Sequence, residues 1–223
     1  AQTQGNLNLT TSPLPISIKA KPGTSVSTDL RVQNSGSQTE ILKIDLYKFR
    51  AYGNEGKPQI LDREPGDNYF DWVSFNTPTF RAEPNVWKTI KMNINIPKDA
   101  AFGYYYAVVF SRTDQARPDA NQNTDIVGGS ATLVLLEADV PGAKRQIDIT
   151  SFTANRKIYE FLPVNFSLTL KNNGQVHAAP SGTLFISRGG KQVATIAVNG
   201  DQGNVLPSSS RIFSTVWSDG FPV

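Results

Sequence analysis

Few side chains in this sequence could carry out chemistry. Its 223 residues include a single histidine, His177, and no cysteine, so disulfides, thiolate metal sites and cysteine nucleophiles are excluded. One histidine also makes most acid–base mechanisms hard to build. The segment around it, 175–180, is typical of a loop, where a packing role is favoured over catalysis. We therefore expect no catalytic residue, no metal, no cofactor and no hydrolase activity.

Two groups of acidic residues have a spacing that suggests a function. Asp62 and Glu64 lie in a predicted loop, where solvated carboxylates are favoured over a glycosidase pair. The loop 113–127 resembles the first half of a calcium loop through Asp119, Asn121, Asn123 and Asp125. Its sixth position is Thr124 rather than glycine, and its twelfth is Ser130 rather than an acid. A solvated hairpin loop is favoured, and calcium binding is left open.

Charge and composition exclude further classes of protein. Lys and Arg number 22 and Asp and Glu number 19, a net charge of +3. This charge is too small and too scattered to indicate nucleic-acid binding. No run of about 18 apolar residues is present, so no segment is expected to cross a membrane. Apolar residues, at 39% of the chain, are sufficient for a large core.

The elements that must position these residues are short β-strands. Val, Ile, Thr, Tyr and Phe alternate with polar residues in runs separated by Gly, Pro, Asn and Ser. The runs before residue 138 are 14–18, 26–32, 42–46, 69–75, 86–96, 103–110 and 132–136, with a long loop at 50–68. This number of strands is typical of one immunoglobulin-like β-sandwich.

A tyrosine corner is predicted where the sixth run begins. The run follows a corner, 97–101, and a tyrosine at such a corner is typical of immunoglobulin-like domains. Its hydroxyl group there bonds to backbone upstream in the chain. Tyr104 and Tyr106 both fit this position.

The strand pattern restarts after a Pro/Gly-bearing linker. The predicted divisions are a first domain at 1–138, a linker at 139–146 and a second immunoglobulin-like domain at 147–223. Asn172-Asn173-Gly174 ends a strand in the second half, as Asn34-Ser35-Gly36 does in the first. The second half has about five strands where a closed sandwich needs about seven. We therefore expect it to be truncated at its C-terminus and to self-associate through unpaired edges.

Aromatic residues are concentrated between Tyr69 and Trp87. Alternation places Trp87 on the polar face of its strand together with Lys91, so Trp87 is the best candidate for an exposed aromatic residue. One interpretation is a contact face for glycan or protein. The other is packing under the loop 50–68 or against the second domain. The candidate binding face consists of Trp72, Trp87, Tyr105 and Lys91.

Several short motifs resemble the WxL-interacting family of bacterial surface proteins. The run Ile16–Gly23, which leads into Leu30–Asn34, is similar to the opening of those proteins. Further similar motifs are Asn54-Glu55-Gly56, Ile96-Pro97-Lys98-Asp99, Gly103-Tyr104-Tyr105, Gly128-Gly129, Asn172-Asn173-Gly174 with His177, Pro180-Ser181-Gly182, and Asn204-Val205-Leu206-Pro207 followed by Arg211. The resemblance implies a secreted cell-surface protein with a peptidoglycan-binding and a host-binding domain. It also implies a membrane anchor in a C-terminal tail beyond this sequence.

Two functions are therefore predicted, and neither is enzymatic. The first is an extracellular adhesion module that binds cell-wall polymer or surface proteins. The second follows from a similar resemblance to periplasmic pilus chaperones, although their basic pair for holding a subunit carboxylate is not identified in this sequence. In that alternative the chain is a chaperone-like assembly factor that acts by strand-edge pairing.

Overall fold

The chain folds into two compact all-β units. A computed structural model describes residues 7–117, 129–156 and 162–218, which contain fifteen β-strands and one short 3-10 helix. One unit comprises residues 1–50 and 58–142, and the other comprises residues 51–57 and 143–223. The predicted fold class, two immunoglobulin-like β-sandwich domains in tandem, is confirmed.

The first unit is built from ten strands in two sheets. They are β1 (Leu9–Ser12), β2 (Ile16–Ala20), β3 (Ser25–Asn34), β4 (Glu40–Tyr52), β5 (Lys57–Leu61), β6 (Val73–Phe75), β7 (Thr79–Ala82), β8 (Trp87–Asn95), β9 (Phe102–Arg112) and β10 (Gly129–Ala138). One sheet has the order β1-β3-β8-β6. The other has the order β2-β10-β9-β4-β5, with β7 also paired to β4. Strand β2 pairs with β10 in parallel, whereas β9 is antiparallel to both β10 and β4.

Alternation along the central strands produces the core of the first unit. The inward residues Ile90, Met92 and Ile94 of β8, and Tyr106, Val108 and Phe110 of β9, are all 0% exposed. They meet between the two sheets, together with inward residues of β3, β4 and β10. Period-2 alternation read from the sequence therefore predicts this core correctly.

Several of the predicted strand boundaries are wrong. The expected strand at 14–18 is β2, shifted to Ile16–Ala20, and β1 at Leu9–Ser12, which belongs to the other sheet, was not predicted. The expected loop at 50–68 contains β5, and β7 was not predicted. The expected strand at 69–75 begins as a 3-10 helix, Asn68–Trp72, before β6.

Ion pairs explain why the segment before this helix does not extend as a strand. Lys48 Nζ donates to Glu64 Oε2 at 2.8 Å and to Asp67 Oδ2 at 2.9 Å. Asp67 Oδ2 also accepts a hydrogen bond from the Glu64 backbone N–H at 2.8 Å. These contacts turn the chain sharply just before the helix. The tertiary context therefore overrides the strand preference of the aromatic residues that follow.

The tyrosine corner is made by Tyr104. The backbone N–H of Ala101 donates to the Tyr104 hydroxyl oxygen at 3.0 Å. Tyr106 instead donates its hydroxyl hydrogen to the carbonyl oxygen of Tyr69, also at 3.0 Å. Burial raises the pKa of Tyr69 to about 12 and also raises the pKa of Tyr106. Tyr69 and Tyr106 are therefore neutral aromatic groups, and their contact fixes the helix against β9.

The second unit has five strands among its described residues. They are β11 (Ile147–Ala154), β12 (Val164–Asn172), β13 (Gly182–Arg188), β14 (Lys191–Val198) and β15 (Ser210–Trp217). One sheet has the order β11-β12-β15, and the other is the hairpin β13-β14. The predicted hairpin turn is at Gly189 and Gly190, whose φ angles of 54° and 79° favour glycine.

A buried asparagine ends the corresponding strand in each unit. Asn34, at the end of β3, is 1% exposed. Its Nδ2 donates to the carbonyl oxygens of Gln38 at 2.6 Å and Ala82 at 3.1 Å, and its Oδ1 accepts from the N–H of Gly36 at 2.9 Å. One side chain thus ties the turn after β3 to β7.

The same arrangement recurs at the end of β12. Asn172, also 1% exposed, donates through Nδ2 to the carbonyl oxygens of Val176 at 2.8 Å and Val205 at 2.9 Å. Its Oδ1 accepts from the N–H of Gly174 at 2.8 Å. The similarity of the two Asn-x-Gly turns in sequence therefore reflects one repeated structural device.

Candidate functional site

Two residues of the predicted binding face share one surface. Trp87 and Lys91 both point outward from β8, and Trp87 is 38% exposed. The guanidinium carbon of Arg31 lies 4.9 Å from the centre of the Trp87 ring. Lys91 Nζ lies 3.4 Å from Asp29 Oδ1. This surface is thus an aromatic residue among paired charges on the outer face of the β1-β3-β8-β6 sheet.

The other two residues of that predicted face lie elsewhere. Trp72, on the 3-10 helix, packs against the core and meets the Tyr104 ring edge-on, with the ring centres 4.6 Å apart. Tyr105 is on β9 in the other sheet, with its ring 5.8 Å from that of Phe49. The structure therefore does not bring the four residues together. A contact role for Trp87 and Lys91 stays a prediction.

Replacing Trp87 by alanine tests that role directly. Because the ring is exposed and contacts Arg31, we expect Trp87→Ala to cost about 1 kcal/mol of folding stability or less. A contact residue would also lose about 2 kcal/mol of partner binding. Melting and binding should be measured on the same variant. A stability loss of about 3 kcal/mol would instead indicate a core residue.

The described residues that were considered for catalysis are either buried or paired with a charge. His177 is 7% exposed, in agreement with a packing role in a turn. Asp62 Oδ1 lies 3.3 Å from the guanidinium group of Arg117. The calcium-like residues 119–125 lie outside the described residues. Within the described ranges, no three His, Cys, Asp or Glu residues could hold a metal ion together, and no helix is long and apolar enough to cross a membrane.

The strongest candidate for a functional site is the first half of β10. Strand β9 pairs with β10 along its whole length, from Gly129 to Ala138. On the other side, β2 pairs with β10 only from Val134 onward. Among the described residues, no strand pairs with that side of 129–133. These five residues therefore present a row of unpaired backbone groups, which is the feature that recruits an added strand.

A second unpaired edge borders the same opening. Strand β1 pairs with β3 and lies beside β10, although it belongs to the opposite sheet. Between them, the Thr132 side chain is 1% exposed, and its hydroxyl group has no hydrogen-bond partner among the described residues. Edges from both sheets thus border one side of the sandwich, where an extended segment could pair with β10.

The basic residue nearest this edge is already paired. Arg112 follows Ser111, which pairs with Gly129. Its guanidinium group donates to both carboxylate oxygens of Glu40, at 2.7 and 2.6 Å. These hydrogen bonds raise the pKa of Arg112. Because Glu40 offsets its charge, a second carboxylate from a partner would be attracted to Arg112 less strongly than to an unpaired arginine.

Sequence reasoning missed this edge. It predicted only 132–136 of β10 and no strand at the position of β1. One signal was present, since Pro13 and Pro15 flank Leu14 and proline cannot continue a strand ladder. Two prolines in three residues favour a change of sheet, and that change leaves the first half of β10 uncovered.

Solved structures with a similar fold are pilus chaperones and their complexes. No protein-family model and no curated protein matches the chain. A complex of a chaperone with the tip adhesin of CFA/I fimbriae matches at 20% identity, over 96% of this chain and 91% of the other, with a TM-score of 0.46. The class 5 fimbrial chaperone CfaA matches at 17% identity, over 96% and 93%, with a TM-score of 0.48. The periplasmic chaperone SfaE matches at 12% identity, over 92% and 87%, with a TM-score of 0.44.

The predicted membership of the WxL-interacting family is wrong, because the structures matched across the chain are pilus chaperones. The physical reason is that the motifs behind the resemblance form turns and corners. The backbone N–H of Gly23 donates to the carbonyl oxygen of Ile96 at 2.9 Å, and Asn34 and Asn172 close strand ends. Any pair of immunoglobulin-like domains needs such turns, so they do not identify one family.

Two predictions that followed from that resemblance are corrected on the same ground. Adhesion to cell-wall polymer or surface proteins is wrong as the leading function, since the matched structures are chaperones or chaperone complexes. The predicted anchored, extracellular location is wrong as well, since the matched chaperones are periplasmic. The matched structures are described as chaperones, and the prediction that the chain is not an enzyme agrees with those matches.

Proposed function

We propose that the chain is a periplasmic, chaperone-like assembly factor that binds a protein partner by adding one of its strands to β10. The observation that carries this proposal is the half-covered edge of β10, unpaired at 129–133 among the described residues and paired with β2 from Val134 onward. Main-chain hydrogen bonds at such an edge supply affinity without requiring a particular partner sequence.

The chemistry of the edge indicates what the partner offers. Strand β10 presents small residues here, including Ser130, Ala131 and Thr132, so a neighbouring strand can approach closely. A paired strand would also shield the edge from unwanted association. The partner is therefore an extended protein segment with free main-chain groups, as an assembly subunit has before it is incorporated. The chaperone–adhesin complex described above supports a partner of this kind.

The pairing of Arg112 limits how the partner is held. Glu40 accepts from Nε and Nη2 of this arginine and offsets its charge, so we do not expect Arg112 to be the main site for a subunit's terminal carboxylate. Main-chain pairing along 129–133 then accounts for most of the affinity. Self-association through the second domain, predicted from the sequence, is kept as an alternative and is tested below with that domain.

A charge placed on the free edge of β10 should weaken the complex with a subunit. A pilus subunit that lacks its own final strand would be unfolded in urea and diluted into this protein. We expect a soluble one-to-one complex, with slowed hydrogen exchange at residues 129–133. Ala131→Glu should reduce the complex by at least about tenfold, because a charge on an edge strand disfavours pairing.

The matched control places the same charge at the opposite edge of the same sheet. Gln59 is on β5, where its Oε1 accepts from Arg50 at 2.9 Å, so Gln59→Glu keeps an acceptor there and should leave the complex unchanged. Melting of both variants verifies folding. If no complex forms, or if Ala131→Glu and Gln59→Glu weaken it equally, strand addition at β10 is refuted.

A further inference from the structure

The second unit contains an open apolar groove of about 460 Å³ between its two sheets, within the usual range for binding sites. The inward faces of β11 and β12 form one wall, and the beginning of β13 with the end of β14 forms the other. The lining is mainly aliphatic and aromatic and includes Ile149, Phe152, Leu168 and Leu184. Among the described residues of this unit, none that lines it is charged.

These lining residues occupy positions that a sandwich normally buries. The pairing of β11 with β12 shifts by one residue between Ile149 and Ser151. This bulge allows Ile149 and Phe152 to point to the same, inward side although they are three residues apart. They are nevertheless 69% and 53% exposed, whereas the inward residue Ile90 of the first unit is 0% exposed. The groove is therefore the unfilled part of a core.

A free strand edge lies along this groove. Among the described residues, β13 pairs only with β14, so the backbone groups on its other edge have no strand partner. Ser181, Gly182 and Thr183, at that edge, line the groove. A Cβ built on Gly182 would meet no atom within 4 Å, so the groove is open above this position. An edge next to an apolar wall fits an extended polypeptide.

The charge of the second unit favours a segment of another protein over a second copy of the domain as the molecule that fills the groove. Residues 143–223 contain eight Lys and Arg but four Asp and Glu. Lys144 and Lys171 lie near one end of the β11–β12 wall, where Asp148 is hydrogen-bonded to Gln146 and Asn173. A second copy of the domain would bring like charges together. A segment with acidic residues at the end beside Lys144 and Lys171 would instead complement the positive charge there.

We propose that this groove binds an extended segment of a partner protein, with apolar side chains at alternate positions and acidic residues at the end that lies beside Lys144 and Lys171. The segment adds to the free edge of β13, and its apolar side chains fill the space between Ile149 and Leu184. This site belongs to the second unit and does not depend on strand addition at β10, which concerns the first.

A labelled peptide tests the proposal on the full chain. The probe is a fluorescein-labelled peptide of alternating Val and Ser with two Glu residues at each end, and binding is followed by fluorescence anisotropy. We expect saturable binding. A peptide of the same composition with its Val residues grouped, and one with Lys at both ends, should each bind at least about tenfold more weakly.

Two exposed apolar positions provide the variant and its control. Ile149→Asp should weaken binding at least about tenfold. Val216→Asp should not, because Val216 lies on β15 of the other sheet, is 50% exposed and is outside the groove lining. Melting curves establish that both variants fold, and Ile149→Thr replaces Ile149→Asp if the latter does not. These variants leave β10 unchanged, so complex formation at that edge should persist.

Three results would overturn the proposal. The first is no saturable binding of the alternating peptide, and the second is equal binding by Ile149→Asp and Val216→Asp. The third is a dimer in light scattering that becomes a monomer in Ile149→Asp, which would show that a second copy occupies the groove.

Discussion

Asn34→Ala is expected to lower the free energy of unfolding of the first domain by about 3 kcal/mol. The side chain is 1% exposed and makes three hydrogen bonds to backbone, two through Nδ2 and one through Oδ1. Alanine would leave the buried carbonyl group of Ala82 without this donor and would release the turn at Gly36. Urea unfolding followed by tryptophan fluorescence measures the change, because Trp72 and Trp87 report on this unit.

The second domain supplies an internal replicate of this experiment. Asn172→Ala should cost a similar amount, since its three hydrogen bonds have the same pattern. Trp217 reports on that unit. Asn173→Ala is the matched control: this neighbouring side chain is exposed and should cost less than about 1 kcal/mol. Equal costs for Asn172→Ala and Asn173→Ala would mean that the buried hydrogen bonds do not stabilise the turn.

These turns show what local sequence can predict in this chain. An Asn two residues before a Gly at the end of an alternating run suffices to locate a strand end, and both examples were found. Alternation likewise places Ile90 and Met92 inside and Lys91 outside. Such features depend on neighbouring residues alone, so the sequence contains the information directly.

Which strand edges stay unpaired cannot be predicted from neighbouring residues in the same way. Whether β10 has a partner at 129–133 depends on where β2 begins to pair with it, and that register joins residues more than one hundred positions apart. The groove of the second unit depends similarly on the bulge after Ile149 and on the placement of β13. Both proposed binding sites are strand edges, which no local motif describes.

This also explains why the resemblance by motif was misleading. The motifs that suggested a surface adhesin are turn residues, such as Pro22-Gly23 and Asn172-Asn173-Gly174. Turn chemistry is shared by unrelated β-sandwiches, since a fold does not determine a function. The candidate face around Trp87 was inferred from alternation, and alternation correctly places Trp87 and Lys91 outward. It could not show that Tyr105 belongs to a different sheet.

The ion pair beside the β10 edge provides the second large effect. Arg112 and Glu40 side chains are 9% and 19% exposed, and two hydrogen bonds join them. Glu40→Ala would leave a nearly buried guanidinium group without its partner, and we expect a loss of about 3 kcal/mol in the free energy of unfolding. Lys91 and Asp29 form an exposed pair, so Asp29→Ala is the control and should cost less than about 1 kcal/mol.

A double variant separates the burial of a charge from the loss of packing. Replacing both partners, as Glu40→Leu with Arg112→Met, removes the two charges together and should recover most of the stability lost in Glu40→Ala, because an apolar pair needs no desolvated charge. If the double variant is as unstable as Glu40→Ala, the pair stabilises the fold mainly through the packing of its side chains. Because we attribute partner binding to main-chain pairing at β10 and not to Arg112, the double variant should still form the complex with a subunit. Loss of that complex in a stably folded double variant would mean that Arg112 contacts the partner, and that main-chain pairing alone does not hold it.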